Sequence, residues 1–481
     1  MINLKQLLME GLIEKAAEDF VKQTIKGTEW EGKVYAVGGY VRDLVHGADA
    51  KDLDIVVDAP NGGITFAEWI TKKIGAYKPD SNPVIFTKFL TAQFRLEGIT
   101  HNGQDLSGYK LESVAPRAEV YNDPTSRKPD VVQTDLKGDA SRRDLSINAL
   151  YKNISTGQIL DPSGMGLDDL KNKVLKPAGD PDKIYQEDAL RLLRIVRFYA
   201  KMGYSIPGNI LRSVKRNAPR LEFISEERIQ EELNKMLMTT EPEKAIKLLK
   251  ITGLLDYVIP EFKAAYRMQQ NKFHHRDVFG HTLDVLSNTQ PNLVQRLMGL
   301  FHDIGKTVTK SVTPTGVHFY GHEMASERIT KDVMKRLKYP NELIDAVSVG
   351  VRNHMRLKSG KDDAVALSDK ALRKFKVEMG DELENVLGLI HADNISHADA
   401  HSMPNQVDNI KKRLDSINIE KNASGKPKLP ITGEDLKTMG IKPGKIYSTI
   451  FSEITNKWFD NPNISRQDAI NIAKTIAKNN N

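Results

Sequence analysis

The chain has 481 residues, about three domains at ~150 residues each, and is 40% hydrophobic, with no apolar run near the ~18 residues a membrane helix needs. There is no cysteine, so disulfides and thiolate metal sites are excluded, and any metal must sit on His, Asp or Glu, ligands that suit Mg, Mn, Fe, Ni or Zn. The net charge of +7 permits a polyanionic partner such as RNA, although 63 acids are mixed among the 70 bases.

Met1 to Ile25 carries Glu10, Glu14, Glu18 and Asp19 where a secretory signal would be apolar, so we expect a cytoplasmic protein with no membrane partner. Within 3–25, Leu4, Leu7, Leu8, Ala16, Ala17, Phe20 and Val21 fall at helical spacing and predict a packing helix. Val34 to Val37 reads as a strand ending at Gly38-Gly39, and Asp52 to Val57 as a second. Phe86 to Phe94, Tyr109 to Ala115 and Val131 to Val132 are further strand-like pieces. From Asp182 onward the pattern is helical, over 186–200, 226–238, 241–256, 278–288, 293–304, 322–337, 341–354 and 381–393. Residues 414–430, with Gly425, Pro427 and Pro430, read as a linker. A helical tail follows, with Thr432 and Asp435 spaced as a capping box.

Gly38-Gly39-Tyr40-Val41-Arg42-Asp43 follows the first strand, where two glycines allow a sharp turn and close approach to a phosphate, and Arg42 offers a guanidinium fork. By itself such a pair is equally a plain turn. Lys51-Asp52-Leu53-Asp54-Ile55-Val56-Val57 places Asp52 and Asp54 on one face of a strand. Two neighbouring carboxylates repel, and Mg²⁺ ions between them would relieve this and serve phosphoryl chemistry; a solvated edge strand is the alternative. The order of these two motifs resembles the start of the class II tRNA nucleotidyltransferases, the CCA-adding enzymes, and their bacterial poly(A) polymerase relatives. By that resemblance Glu112, in Leu111-Glu112-Ser113-Val114-Ala115-Pro116-Arg117, is a third catalytic carboxylate beside Asp52 and Asp54. Arg142-Arg143-Asp144-Leu145-Ser146-Ile147-Asn148-Ala149-Leu150 is similar to the family segment that binds the ribose and phosphates of the incoming nucleotide. The resemblance implies nucleotide-binding roles for Gly38, Gly39, Arg42, Arg143, Asp144 and Asn148. A helix start with Asp144 as its N-cap is compatible with that role.

Glu187 to Arg197 reads as one amphipathic helix with Ala189, Leu192, Leu193, Val196 and Ala200 on its buried stripe, so that Asp188 and Arg191 share a face. Surface pairing of Glu187 with Arg191 explains the same spacing. The segment resembles the EDxxR motif of CCA-adding enzymes, which implies that Asp188 and Arg191 read the base and that Arg194 assists. Glu227 and Arg228, in Ser225-Glu226-Glu227-Arg228-Ile229, resemble a structural support of that region.

His281, His302-Asp303, His322, His354 and Asp393 each lie in or beside a predicted helix. Imidazole and carboxylate together make a divalent-metal site that activates water near neutral pH. This ordered set resembles the HD phosphohydrolase superfamily, with His322 and His354 allowing a second metal and Lys306 reaching a phosphate. His274, His275, His318, His391 and His397 have no assignment. Residues 430–436 and 440–444 resemble the tail of the CCA-adding enzymes, whereas the first 30 residues and 97–108 depart from that family.

The expected fold is an α/β nucleotidyltransferase head, palm-like with a mixed sheet, then an all-α neck, an all-α HD domain and a helical tail. The expected boundaries are 1–30 for a helical extension, 31–155 for the head and 156–262 for the neck. Residues 263–413 would be the HD domain, and 414–481 linker and tail. The resemblance implies CCA addition to tRNA from CTP and ATP, with Mg²⁺ in the head. In the HD domain it implies an unidentified divalent metal (Mg, Mn, Ni, Fe or Zn) and hydrolysis of 2′,3′-cyclic phosphates and 2′-phosphates. The alternatives are a poly(A) polymerase, an A-only or CC-only enzyme, and an RNA-binding HD phosphohydrolase with an inactive head. The intact Asp52, Asp54 and Arg143 weigh against the last.

Overall fold

Short β-branched runs build the sheet that carries the first candidate site. Its strands are Val34–Val37 (β1), Asp54–Val57 (β2), Val84–Phe86 (β3), Thr91–Arg95 (β4), Lys110–Val114 (β5), Tyr151–Asn153 (β6) and Ile159–Leu160 (β7). In the computed structural model the order is β7-β6-β1-β2-β5-β4-β3. Only β2 and β5 run parallel among the pairs formed; the others are antiparallel, so the sheet is mixed. The described residues are 4–120, 130–270, 276–358, 367–420, 422 and 427–479; Gly425, His274 and His275 lie outside them. The chain divides into two units, Met1–Pro260 and Glu261–Asn481.

Ile55, Val56 and Val57 are fully buried, so the central strand is covered on both faces. Helix Leu4–Ile25 belongs to this unit: Glu18 accepts from the Tyr40 hydroxyl at 2.7 Å and pairs with Lys152 at 2.6 Å. The divergent stretch 97–108 forms a hairpin, Thr100–His101 with Gln104–Asp105, tied to that helix through His101 and Asp19 at 2.8 Å. Helices Pro181–Glu187, Leu190–Met202, Gly208–Asn217, Glu226–Leu237, Pro242–Thr252 and Leu255–Val258 complete the unit.

Three local expectations are corrected. The second strand begins at Asp54, not Asp52, whose φ of +59° is left-handed, so face-sharing along a strand does not apply to this pair. The helix expected over 187–197 is broken: Asp188 is extended (φ −143°, ψ 104°) between Pro181–Glu187 and Leu190–Met202. Asp188 accepts from the Leu190 backbone N–H at 3.0 Å, the local side-chain bond that makes Asp favour helix boundaries over interiors. The apolar stripe is as expected, with Ala189, Leu192, Leu193, Val196 and Ala200 all buried. Finally, Phe86 to Phe94 is split by a 3₁₀ turn at Thr87–Phe89.

Among the described residues the second unit is helical apart from one hairpin, Ser311–Thr313 with Gly316–His318, which periodicity did not predict. Helices Val278–Asn288, Leu293–Phe301, His322–Arg336, Asn341–Asn353 and Leu383–Ile395 surround its candidate site. Gly305 permits their close approach, since a Cβ there would lie 2.3 Å from the His322 carbonyl oxygen and from the Ser326 nitrogen. The tail helices Gly433–Thr438, Lys445–Asp460 and Arg466–Asn479 enclose a small core including Leu436, Ile450 and Ile454, and Thr432 and Asp435 form the capping box. Among the described residues no helix is long and apolar enough to cross a membrane.

Candidate active sites

The first site gathers at the amino-terminal end of β2. Gly38 turns the chain with φ +77°, and helix Gly39–His46 starts immediately after it. Asp54 is in register with Val37 on one side and Glu112 on the other. Glu112 accepts from the Gln93 side chain at 3.0 Å, which fixes its carboxylate. Asp54 is exposed to solvent, but neighbouring protein strips part of its hydration. This desolvation first, then the nearby Glu112 and Asp52 charges, push its carboxyl up to about 6, while Arg143 opposes the rise. A carboxylate crowded in this way gains from a cation.

Arg143 is set by a residue the sequence reading missed. Asp139 is fully buried and accepts from Arg143 at 2.9 Å, from Arg142 at 2.6 Å and from the Tyr151 hydroxyl at 2.6 Å. Burial opposes its charge, but Arg143 and Arg142 outweigh burial and hold the carboxyl well below the usual range. Its spacing of four from Arg143 on a helical turn was the available signal. The Arg143 tip would stand 3.8 Å from a Cβ at Gly38, so guanidinium and glycine turn border one another.

Arg42 is 4% exposed and donates to Asp43 at 2.7 and 2.8 Å and to Asn148 at 2.7 Å. It therefore holds Asn148, and any phosphate contact would compete with those bonds. Asn148 in turn donates to Asp144 at 3.1 Å, and Arg194 donates to the other Asp144 oxygen at 2.8 Å. The alternative of Asp144 as an N-cap does not hold: Leu145 precedes the 3₁₀ turn Ser146–Asn148 and makes no side-chain cap bond. Burial raises the Asp144 carboxyl, but Arg194 and Asn148 prevail and lower it. Arg194 also lies 3.9 Å from Glu232, which pairs with Arg197 at 2.7 Å.

Asp188 and Arg191 meet through the backbone, where the Arg191 N–H donates to the Asp188 carbonyl at 3.1 Å, while their side chains bond to other residues. Asp188 pairs with Arg228 at 2.8 Å. Arg191 is 7% exposed and donates to Glu187 and to the Ile184 carbonyl, each at 3.1 Å. The pairing of Glu187 with Arg191 weighed from spacing is thus present, in a buried form.

The second site brings all six expected residues together. His281, His302 and Asp393 form one triad, and Asp303, His322 and His354 another, each with ligand atoms within 4.8 Å of one another. All six are buried. His302, His322 and His354 turn Nδ1 toward the carbonyls of Gly299, Phe319 and Val351 at 2.9, 2.8 and 2.8 Å. Each carbonyl lies three residues earlier in sequence. If Nδ1 carries the proton, Nε2 is left as a lone-pair donor. These three Nε2 atoms are buried without a hydrogen-bond partner. Unsatisfied imidazole nitrogens around two carboxylates fit a divalent cation. Asp303, a member of the second triad 3.3 Å from His322, also approaches the first, 3.2 Å from His302.

Burial alone would raise both carboxyls. Lys306 and His302 beside Asp303, and Lys358 and His281 beside Asp393, outweigh burial and hold them well below the usual carboxylate range. Burial lowers His354 strongly, assisted by His302 and His322, so it stays neutral as a ligand must. Lys306 reaches Asp303 at 2.6 Å and Gln270 at 2.7 Å. Lys358, which the sequence reading missed, ion-pairs with Asp393. His397 turns Nδ1 to the Asp393 carbonyl at 2.7 Å and lines the cavity above the site, but belongs to neither triad. His318 stacks on Tyr320, and His391 keeps a buried Nδ1 without a partner.

Three family models match the chain: a poly A polymerase head domain over 34–176, a probable RNA- and SrmB-binding site of polymerase A over 203–266, and an HD domain over 278–399. A multifunctional CCA protein from Herminiimonas arsenicoxydans is 32% identical over 334 residues, covering 67% of this chain and 73% of that protein. A CC-adding tRNA nucleotidyltransferase from Thermus thermophilus is 31% identical over 273 residues, but the chain spans only 60% of it. The fold is similar to that of a Bacillus stearothermophilus CCA-adding enzyme in complex with CTP, with TM-score 0.66 at 19% identity over 97% of this chain and 98% of that one. The chain belongs to the tRNA nucleotidyltransferase and poly(A) polymerase family that includes the CCA-adding enzymes. Nucleotidyltransferase heads and HD domains of these kinds generally use divalent metals.

Proposed function

We propose that the first unit adds C and A to the 3′ end of tRNA from CTP and ATP without a nucleic-acid template, and that the second is a two-metal phosphohydrolase. The observation that carries the first part is the register of Asp54 with Glu112 beside Arg143 and the Gly38 turn. Asp52 and Asp54 would hold magnesium. When bound, it supplies charge neutralisation at the triphosphate and lowers the barrier to attack by the RNA 3′-hydroxyl. Arg143, oriented by Asp139, binds phosphate oxygens, and Asp144 with Asn148 receives the ribose. Asp188 and Arg191, held by Arg228 and Glu187, read the base edge. Relatives of this chain include a CC-adding and an A-adding tRNA nucleotidyltransferase, so the residues added are a property of the individual chain. Incubation with tRNA lacking its 3′ end, in CTP alone, ATP alone and both, tests the reading. Ordered addition of CC and then A is expected; long A tails from ATP alone would replace it with poly(A) polymerisation.

The two buried triads support the hydrolytic reading of the second unit. A divalent cation bound there supplies water activation near neutral pH. Lys306 and Lys358 flank the carboxylates and are placed to meet a phosphate. The substrate class is 2′,3′-cyclic phosphates and 2′-phosphates.

A further inference from the structure

Over the second site opens a cavity of about 670 Å³. That is within the ~300–1,000 Å³ typical of small-molecule sites. Its floor is polar, with Asp303, His322 and Asp393 beside Lys306 and Lys358. A phosphate group would fill only this floor. The rest of the wall includes Phe319, Tyr320, Met355 and Met403, which offer flat or deformable apolar surface.

One five-residue segment connects the two halves. His322 is a member of the Asp303 triad and turns Nδ1 to the Phe319 carbonyl at 2.8 Å. The Phe319 ring lies 5.4 Å from the Lys306 ammonium. Tyr320, next in the chain, is 76% exposed although it borders the cavity. Its ring lies parallel to that of His318, with centroids 5.1 Å apart and planes 8° from each other. His318 is braced in turn by Thr315 at 2.9 Å, within the hairpin that ends in His318. The result is a two-ring stack with an open aromatic surface, two residues from a member of the Asp303 triad.

We infer that Tyr320, backed by His318, is a base-stacking platform that makes the second site select nucleoside phosphates over phosphate esters without a base. Stacking suits this task because every base has a π-face, whereas a sugar or glycerol phosphate has none. The phosphate lies on the metal and lysine floor, and the base extends along the wall to the platform. The inference rests on the hydrolytic reading of this site, and the test separates the two.

The test uses the full-length protein loaded with a divalent metal. Hydrolysis of adenosine 2′-monophosphate and of glycerol 2-phosphate is measured for the wild type, Tyr320→Ala and Tyr320→Phe, together with calorimetric binding of adenosine 2′-monophosphate. Nucleotide bound by the first unit is common to all three proteins and cancels. The ratio of kcat/KM for the nucleotide over glycerol 2-phosphate should fall about 5- to 150-fold in Tyr320→Ala, from stacking worth ~1–3 kcal/mol per base. Nucleotide binding should weaken in parallel, and Tyr320→Phe should keep both. Equal losses on the two esters, or an unchanged ratio with unchanged binding, would overturn the platform. If the wild type hydrolyses neither ester, the hydrolytic reading falls. The binding arm then decides: weaker binding in Tyr320→Ala supports the platform, and equal binding ends it.

Discussion

Replacing Asp139 by Asn tests how the first site is held together. The side chain is fully buried and meets Arg142, Arg143 and the Tyr151 hydroxyl, so the substitution keeps its shape and removes its charge. Removing one partner of a buried ion pair costs ~3–5 kcal/mol; with shape kept and the two arginines still partly solvated, about 3 kcal/mol is expected. Part of this appears as lost stability. The carboxyl is held below its ordinary value, so the contribution is present above the unfolded pKa and is lost only as pH falls through the lower folded one. The remainder appears in catalysis, because Arg143 loses the group that orients it. We expect kcat/KM for CTP to fall by at least ~10-fold, and Tm to drop. The discriminating assay is a double-mutant cycle with Arg143→Leu, reading incorporation of labelled CMP into tRNA lacking its 3′ end. If Asp139 acts through Arg143, the double variant is no worse than Arg143→Leu, with a coupling energy of ~1–3 kcal/mol. Strict additivity would show that Asp139 serves only folding and would refute the positioning argument.

Asp54 should make magnesium use pH-dependent: its carboxyl sits at about 6, so protons compete with the cation below that value. The magnesium concentration giving half-maximal incorporation should rise steeply from pH 7 to 5. The same raised value favours the metal-free fold in acid, an effect complete below the unfolded pKa and lost as pH rises through about 6. A flat magnesium requirement over that range would contradict the assignment. Gly305→Ala places a methyl against His322 and Ser326 at 2.3 Å; overpacking of ~1–3 kcal/mol or more is expected, with loss of bound metal measured by elemental analysis. Substituting both His302 and Asp303 by Ala takes one ligand from each triad and should abolish phosphohydrolysis while nucleotide addition survives. Hydrolysis persisting in that purified double variant would exclude the site.

Much of the molecule was legible because its chemistry is carried on regular elements. The glycine turn, the short strand with Asp54, and the helices bearing His281, His322 and Asp393 follow from local patterning, which neighbours in sequence set. The order of these motifs also pointed to the family before any contact was known. Where a residue leaves its element, periodicity misleads. Asp52 stands in a left-handed conformation just before the strand, and Asp188 interrupts a helix that the apolar stripe runs straight through. An amphipathic pattern records which side chains are buried, not whether the backbone between them is continuous.

The amino-acid sequence by itself determined the residue types available for metal and phosphate, and the two groups of motifs that carry them. Only the tertiary structure decided which of those residues meet. It seats Asp139 under Arg143, joins Asp144 to Arg194 across fifty positions, gathers six His and Asp side chains into two triads, and sets Lys358 on Asp393. The physical reason is range. Helix and strand preferences act over a few residues. The partners of a buried charge are chosen by how distant segments pack, and local patterning does not reveal that packing.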